Sequence, residues 1–367
     1  MAKKKQAKLN YDLWILVPAL LLTALGIVLV YSSSSHVAAH RFGDSYFFLK
    51  RQILFFAIGL GIMLAAKKIP FTLYPKLVYP LLGVSIGLLV LLFIPGFGHK
   101  VGGAIRWLKI GSFSLQPSEF AKLSLAIYMA YSMSKAGSNL TSFSKGLLPN
   151  LIVTGAFIVL MVFQPDFGTA VIVGAWVLIV LFIAGIKLLH LTAIFILSAP
   201  VTVWLVWRSD YRIKRWLAYL NPWDDPQGIG YHIIHSFLAF GSGGVLGAGL
   251  GNSKQKLFYL PEAHTDFALS IAAEELGFVG VTCIILLFGL LVVRGIMVSL
   301  NSKDLFSSYL GIGLSCLIGL QVILNMAVVM GLLPTKGMVL PLISYGGSSL
   351  VVTLFSIGIL LNISSRN

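Results

Sequence analysis

The segment Leu260-Pro261-Glu262-Ala263-His264-Thr265-Asp266-Phe267 sets two carboxylates and an imidazole close together in a chain that is otherwise strongly apolar. Pro261 suits the first turn of a helix, and acidic groups suit its positive end. On such a helix Glu262 and Asp266, four apart, share one face at the water boundary, while Glu274 lies about 12 Å further in. A carboxylate there can take a proton from a hydroxyl if a neighbouring carboxylate and partial burial hold its pKa above that of a solvated aspartate. The plainer alternative is that Glu262 and Asp266 only cap the helix.

A second constellation is Gln116-Pro117-Ser118-Glu119-Phe120-Ala121-Lys122, again a helix start, with Glu119 and Lys122 three apart and able to pair. Either Lys122 faces a phosphate or sits near the catalytic carboxylate, with Glu119 orienting it, or the two form a local ion pair that completes the helix end. Gln164-Pro165-Asp166-Phe167-Gly168 reads as a tight turn. Pro334-Thr335-Lys336-Gly337 precedes Pro341-Leu342-Ile343-Ser344-Tyr345-Gly346-Gly347-Ser348-Ser349. Hydroxyls and backbone freedom at a helix N-terminus favour a phosphate or sugar there, with Lys336 as counter-charge, although both segments also read as turns only.

Other chemistries find no support. There is no GxxxxGK[ST] phosphate loop, and the glycines at 241, 243, 244, 247, 249 and 251 do not fit GxGxxG; they suit a flexible lid, a close-packed turn over a ligand, or simple loop flexibility. His190, His232 and His235 make no metal pattern with the acidic residues, so no metal site is assigned. Cys283 and Cys316 fall inside apolar runs and imply no disulfide.

The elements that must position these groups are membrane spans. Hydrophobic residues make up 57% and charged residues 11% of 367, with a mean hydropathy of +0.92; soluble domains carry about 25% charged residues. Apolar runs near 12–32, 51–66, 76–95, 117–134, 147–163, 168–186, 188–207, 266–294, 306–331 and 341–362 are each suited to a spanning helix. The expected fold is therefore all-α and polytopic, with about ten transmembrane helices in one domain over 1–367 and one large extracytoplasmic loop at about 208–265. Lys3, Lys4, Lys5 and Lys8 ahead of the first run put the N-terminus in the cytoplasm, and an even count puts the C-terminus there too.

That orientation leaves many cations outside, among them Arg41, Arg51, Arg106, Lys109, Arg212, Arg215 and Lys336. An anionic ligand explains them, and so does attraction to lipid headgroups; the net charge of +15 does not require nucleic acid. Most of the twelve acidic residues also fall at outer span ends, with Glu274 and Glu275 inside a span, where ionisable groups are costly and mark functional sites. Trp204, Trp207, Trp216 and Trp223 read as an interfacial aromatic belt.

Together these segments resemble the SEDS family, the FtsW and RodA polytopic proteins that polymerise peptidoglycan. The resemblance rests on Gln116-Pro117-Ser118-Glu119 with Lys122, Gln164-Pro165-Asp166-Phe167-Gly168, Pro261-Glu262-Ala263-His264-Thr265-Asp266-Phe267, Glu274-Glu275-Leu276-Gly277 and Ile343-Ser344-Tyr345-Gly346-Gly347-Ser348-Ser349. Ala263 and Pro334-Thr335-Lys336-Gly337 look like its division branch rather than its elongation branch. The resemblance implies a lipid II polymerase at the outer face of the inner membrane, at the septum, with Asp266 matching the family's essential aspartate as general base. Undecaprenyl pyrophosphate would leave against Lys122, Lys336, Arg106 and Lys109. Glu119, Asp166, Glu262, His264, Ser344, Tyr345 and Ser348 complete the expected substrate site. A divalent cation, Mg or Mn, would share the charge, though no ligand set shows itself. The implied partners are a class B penicillin-binding protein transpeptidase and other divisome proteins. A lipid II flippase is the alternative activity, and a purely structural division scaffold a third reading; the acidic groups lie toward the outer half, which favours the enzyme.

Overall fold

The computed structural model describes residues 11–101, 104–111, 113–257 and 259–366. The lysine run at 3–8 lies outside them. Apolar helices dominate: α1 (Leu13–Phe42), α2 (Phe47–Lys68), α3 (Tyr74–Leu91), α4 (Pro117–Ala136), α5 (Leu148–Phe163), α6 (Phe167–Ile183), α7 (Leu188–Trp207), α8 (Asp210–Leu220), α9 (Tyr231–Gly243), α10 (Ala268–Leu300), α11 (Leu305–Val329) and α12 (Gly347–Ser364). The ten expected runs coincide with α1 to α7 and α10 to α12. Eight of these, counting the short turns leading into α3 and α5, are long and apolar enough to cross a bilayer. The other two are α6, which is shorter, and α4, which is more polar.

Burial explains why α4 tolerates that polarity. Much of it, including Ser118, Glu119, Lys122 and Ser124, is enclosed by protein rather than lipid. The apolar window of α12 is 83% buried and that of α11 61%, against 6% for α7. The bundle thus has α12, α11 and α4 at its heart and α7 at its rim. Trp176 of α6, fully buried, donates its indole N–H to the Gly313 carbonyl of α11 at 2.8 Å. Asn362 of α12 donates to Ala66 O and Ile69 O at the end of α2.

Asp12 joins three helix ends: its carboxylate caps Trp14 N and accepts from Arg294 Nε at 3.0 Å and Ser364 Oγ at 2.9 Å. The first and last described helices therefore end at one face of the bundle, opposite the face where α10 begins. This is the arrangement an even number of crossings requires.

Three details beyond the sequence reading matter to the site. The chain is helical as expected, and within it β1 (Gly98–Val101), β2 (Ala104–Ile110) and β3 (Phe113–Leu115) form a small antiparallel sheet in the order β1-β2-β3. The β-branched and aromatic residues in Ala-Ile-Arg-Trp-Leu-Lys-Ile favour a strand, and β3 runs directly into α4. Next, the helix placed from Pro261 begins at Ala268 instead. Glu262 adopts φ +55°, and its carbonyl closes turns with the N–H groups of Thr265 and Phe267, so Glu262 and Asp266 sit on a compact turn rather than one helical face.

Last, the segment 208–265 is not a simple outer excursion. It carries α8 and α9, and its glycine run descends along α10. Gly277 breaks α10 with φ +66°, a conformation open to glycine and strained for other residues. The exposed backbone is satisfied by the glycine run: Ala248 N donates to Glu274 O, Gly249 N to Glu275 O, Phe278 N to Gly244 O and Val279 N to Val245 O. The glycine run thus packs closely against the break in α10.

Candidate active site

The turn 260–267 presents Asp266 at the mouth of α10. Asn325, a buried amide on α11, donates to Asp266 O at 3.2 Å and to Met338 O at 2.6 Å, locking this turn to the segment that carries Lys336. Gly337 lies directly against the carboxylate: a methyl group on it would stand 3.2 Å from Asp266 Oδ2 and 3.6 Å from Arg106 Nη1. Among the described residues no group donates a hydrogen bond to the Asp266 carboxylate. Burial raises its pKa to about 7, Glu262 adding to the rise and Arg215 and Arg106 opposing it.

The cations come from several elements. Arg106 lies on the β2 face that carries the buried Ala104 and Leu108; its Nε is 3.3 Å from Asp166 Oδ1, and its Nη2 donates to Pro165 O at 3.3 Å. Asp166 also caps α6 by accepting from Thr169 N. Lys336 crosses this turn and donates to Gly168 O, its stem packed directly over the glycine. Burial lowers the Lys336 ammonium to about 7, with Asp166 opposing and Lys122 and Arg106 reinforcing the shift. Lys122 itself pairs with Glu119 at 2.7 Å, both buried.

The site residues expected from sequence separate into three groups. Asp266, Glu262, Arg106, Asp166, Lys336 and, behind them, the Glu119–Lys122 pair are brought together. Ser344, Tyr345, Ser348 and His264 form the wall beside them. Tyr345 N donates to His264 O at 2.9 Å, Ser348 Oγ accepts from Gln116 N at 3.0 Å, and Ser344 Oγ accepts from Leu340 N at 2.9 Å. Lys109 is set apart: three residues from Arg106 on a strand, it projects from the opposite face and is exposed.

Sequence reasoning missed Arg215, Gly337 and Asn325. Arg215 on α8 donates to Thr335 O at 3.0 Å, next to Lys336, while Arg212, one helical turn earlier, lies over the Phe167 ring at 4.7 Å. Their spacing of three places both arginines on one helix face. Asn325 had its own signal, as an amide inside an apolar run.

Among the described residues no cluster of three or more His, Cys, Asp or Glu side chains stands ready for a metal. Asp166 is engaged by Arg106 and its helix cap, and the charges nearest Asp266 are two arginines and one glutamate. This donor set is poorly matched to a divalent cation held by protein ligands.

A carboxylate with a raised pKa can, when ionised, take a proton from a hydroxyl, and fixed cations beside it can stabilise an anionic leaving group. Comparison with known proteins places the chain in a family. The family model described as cell cycle protein, covering FtsW, RodA and SpoVE, matches residues 12–367. A Geobacter sulfurreducens protein named probable peptidoglycan glycosyltransferase FtsW is 49% identical over 97% of this chain and 96% of its own. Stage V sporulation protein E of Bacillus subtilis is 43% identical over 97% of this chain and 98% of its own. A solved structure described as structural coordination of polymerization and crosslinking by a peptidoglycan synthase complex superposes with a TM-score of 0.78 at 30% identity, covering 98% of each chain. This multi-pass membrane chain belongs to the FtsW, RodA and SpoVE family, the SEDS family that its motifs resemble.

Proposed function

We propose that this chain is a peptidoglycan glycosyltransferase of the division type, polymerising lipid II at the outer face of the cytoplasmic membrane. The observation that carries the mechanism is the Asp266 carboxylate, which among the described residues accepts no hydrogen bond and is acted on by Arg106 and Arg215. Asp266 takes the proton from the 4-hydroxyl of the acceptor's N-acetylglucosamine. That oxygen attacks the anomeric carbon of the donor's N-acetylmuramic acid from the face opposite the phosphate. As the new C–O bond forms, the bond from C1 to the pyrophosphate oxygen breaks, inverting the centre and releasing undecaprenyl pyrophosphate. Arg106, Arg215 and Lys336, with Lys122 behind, offset the charge on the departing pyrophosphate. No step runs through a metal ion.

Both chain ends face the cytoplasm in this reading, which puts Asp266 outside, where membrane-carried lipid II is presented. The working form pairs the chain with a class B penicillin-binding protein among the septal proteins. The likeness to a complex described as coordinating polymerization and crosslinking supports such a pairing.

The test is polymerisation of labelled lipid II by the purified chain with that partner, native against Asp266→Asn at equal folded amount. Glycan strands from the native complex and a loss of about 10²- to 10⁴-fold in the variant are expected. A native complex that makes no polymer but carries lipid II across liposomes, with Asp266→Asn equally active, would replace the transferase by a flippase.

A further inference from the structure

The cations occupy one flank of the 260–267 turn, and the turn has a second flank of different chemistry. The His264 ring lies 4.6 Å from that of Phe48 and 5.9 Å from that of Tyr345, while Phe48 and Tyr345 meet edge-on at 5.0 Å. These three rings come from the first turn of α2, the 260–267 turn and the segment entering α12. The bond from Tyr345 N to His264 O holds two of them in register. All three side chains are only partly buried, so the panel keeps an open edge. Arg51, three residues beyond Phe48, stacks over Phe47 at 4.4 Å and sits beside the Tyr345 hydroxyl.

Electrostatics separate the flanks. The charges that bear on Asp266 are Glu262, Arg215 and Arg106, whereas those that bear on His264 are Glu262 and Arg41. Burial lowers the His264 pKa, so the ring is neutral at neutral pH. A panel of neutral rings, with Arg51 at its border and the opposed charges of Arg41 and Glu262 bearing on His264, is a poorer seat for a pyrophosphate than the flank of Arg106, Arg215 and Lys336. It suits a pyranose, whose C–H face packs on aromatic rings while its hydroxyls reach polar tips.

We infer that Phe48, His264 and Tyr345, bordered by Arg51, form a saccharide subsite that holds a sugar ring beyond the bond being made, while the pyrophosphate lies on the flank of Arg106, Arg215 and Lys336. This rests on the proposed polymerase reading and assigns its two sides. The sugar belongs either to the growing strand or to the incoming disaccharide, and the two sources leave different kinetic marks.

The experiment uses the chain with its penicillin-binding partner and compares native, Phe48→Leu and Phe48→Trp for strand length and for initial rate against lipid II concentration. Leucine keeps apolar volume without a ring; tryptophan keeps the ring. If the panel holds the growing strand, Phe48→Leu shortens strands several-fold at a near-native initial rate. If it holds the incoming unit, Phe48→Leu raises KM for lipid II several-fold with kcat held. In either case Phe48→Trp stays near native. Native strand lengths and native KM in Phe48→Leu would overturn the subsite alone, as would equal defects in both variants, which would mark Phe48 as packing. Absence of polymer from the native complex would instead sink the polymerase reading on which the subsite rests.

Discussion

Two carboxylate pairs stand near the start of α10, and they have opposite fates. Glu274 and Glu275, deep in the bundle, are committed to the chain itself. Glu274 accepts from Ser253 Oγ and from the N–H groups of Lys254 at 2.9 Å and Gln255 at 3.2 Å. Glu275 accepts from Ser32 Oγ at 2.5 Å and pairs with Lys256 at 3.0 Å, both side chains almost wholly enclosed. Glu262 and Asp266 sit on a turn with arginines nearby and, at Asp266, no donor to the carboxylate among the described residues. An ionisable group in a membrane protein is thus no sufficient sign of catalysis. A carboxylate tied to the chain by hydroxyl, N–H or ammonium donors is a clasp, even where one oxygen, such as Glu275 Oε2, is left without a partner. One beside fixed cations with no such donor among the described residues is a reagent.

The sharpest test of that contrast sets Asp266→Asn against Glu275→Gln. The first should lose activity by about 10²- to 10⁴-fold while the protein melts as the native chain does. The second removes the counter-charge of buried Lys256 and should cost about 3–5 kcal/mol of stability, read as a lower Tm in detergent. Glu275→Gln with Lys256→Met together should recover much of that Tm, since no unpaired buried charge then remains. A native Tm for Glu275→Gln would break the comparison.

Arg106→Ala comes next. It removes one cation from the site and leaves buried Asp166 without its counter-charge, with an expected loss of about a hundredfold in kcat/KM and a lowered Tm. Lys336→Ala should fall in the same range.

The pH profile sharpens the same point. Asp266 acts as a base only when ionised, and its pKa is raised to about 7, so the rate should fall about tenfold per unit on the acid side of pH 7. Lys336 offsets pyrophosphate charge only when protonated, and its pKa is lowered to about 7, so the rate should also decline on the alkaline side. Lys336→Arg, whose guanidinium stays charged, should flatten the alkaline limb and leave the acid limb in place. An unchanged alkaline limb in that variant would remove Lys336 from this role.

How far the sequence discloses such differences depends on the kind of residue. Long apolar runs are a strong local signal, and the ten helices at the expected places follow from it. Asp266, Glu119, Lys122, Asp166 and Lys336 stand out because charge is rare in this chain and each sits at a span boundary. What the sequence does not disclose is set by tertiary contact. The β1-β2-β3 sheet is short and lies in a stretch that reads as a loop. The left-handed backbone at Glu262 gives no compositional warning. The commitment of Glu274 to backbone N–H groups some 20 residues upstream could not be told from a free carboxylate. Arg215 was one outer cation among many until α8 folded against the segment carrying Lys336.

Asn325 belongs to the same class of hidden contact and should have a moderate effect. It holds two backbone carbonyls, one at Asp266 and one at Met338, and loss of its amide leaves both unsatisfied at about 1–3 kcal/mol each. Asn325→Ala should therefore lower both Tm and kcat, the latter about tenfold, with KM for lipid II nearly held. Asn325→Asp, which keeps the shape but loses the donor, should not rescue it.

The smallest effect is expected at Lys109, and it is informative for that reason. By residue type and position Lys109 and Arg106 are equivalent outer cations, and the sequence placed both in the site. The strand separates them, since side chains three apart project from opposite faces; Arg106 reaches Asp166 and Pro165, while Lys109 remains exposed. An exposed charge acts only through the general field, which about 0.15 M salt screens within roughly 8 Å. Lys109→Ala should therefore change kcat/KM by less than about twofold at that ionic strength, with a somewhat larger effect at low salt. A loss equal to that of Arg106→Ala at both ionic strengths would mean that substrate reaches both faces of β2, and the boundary of the site would have to be redrawn around the sheet.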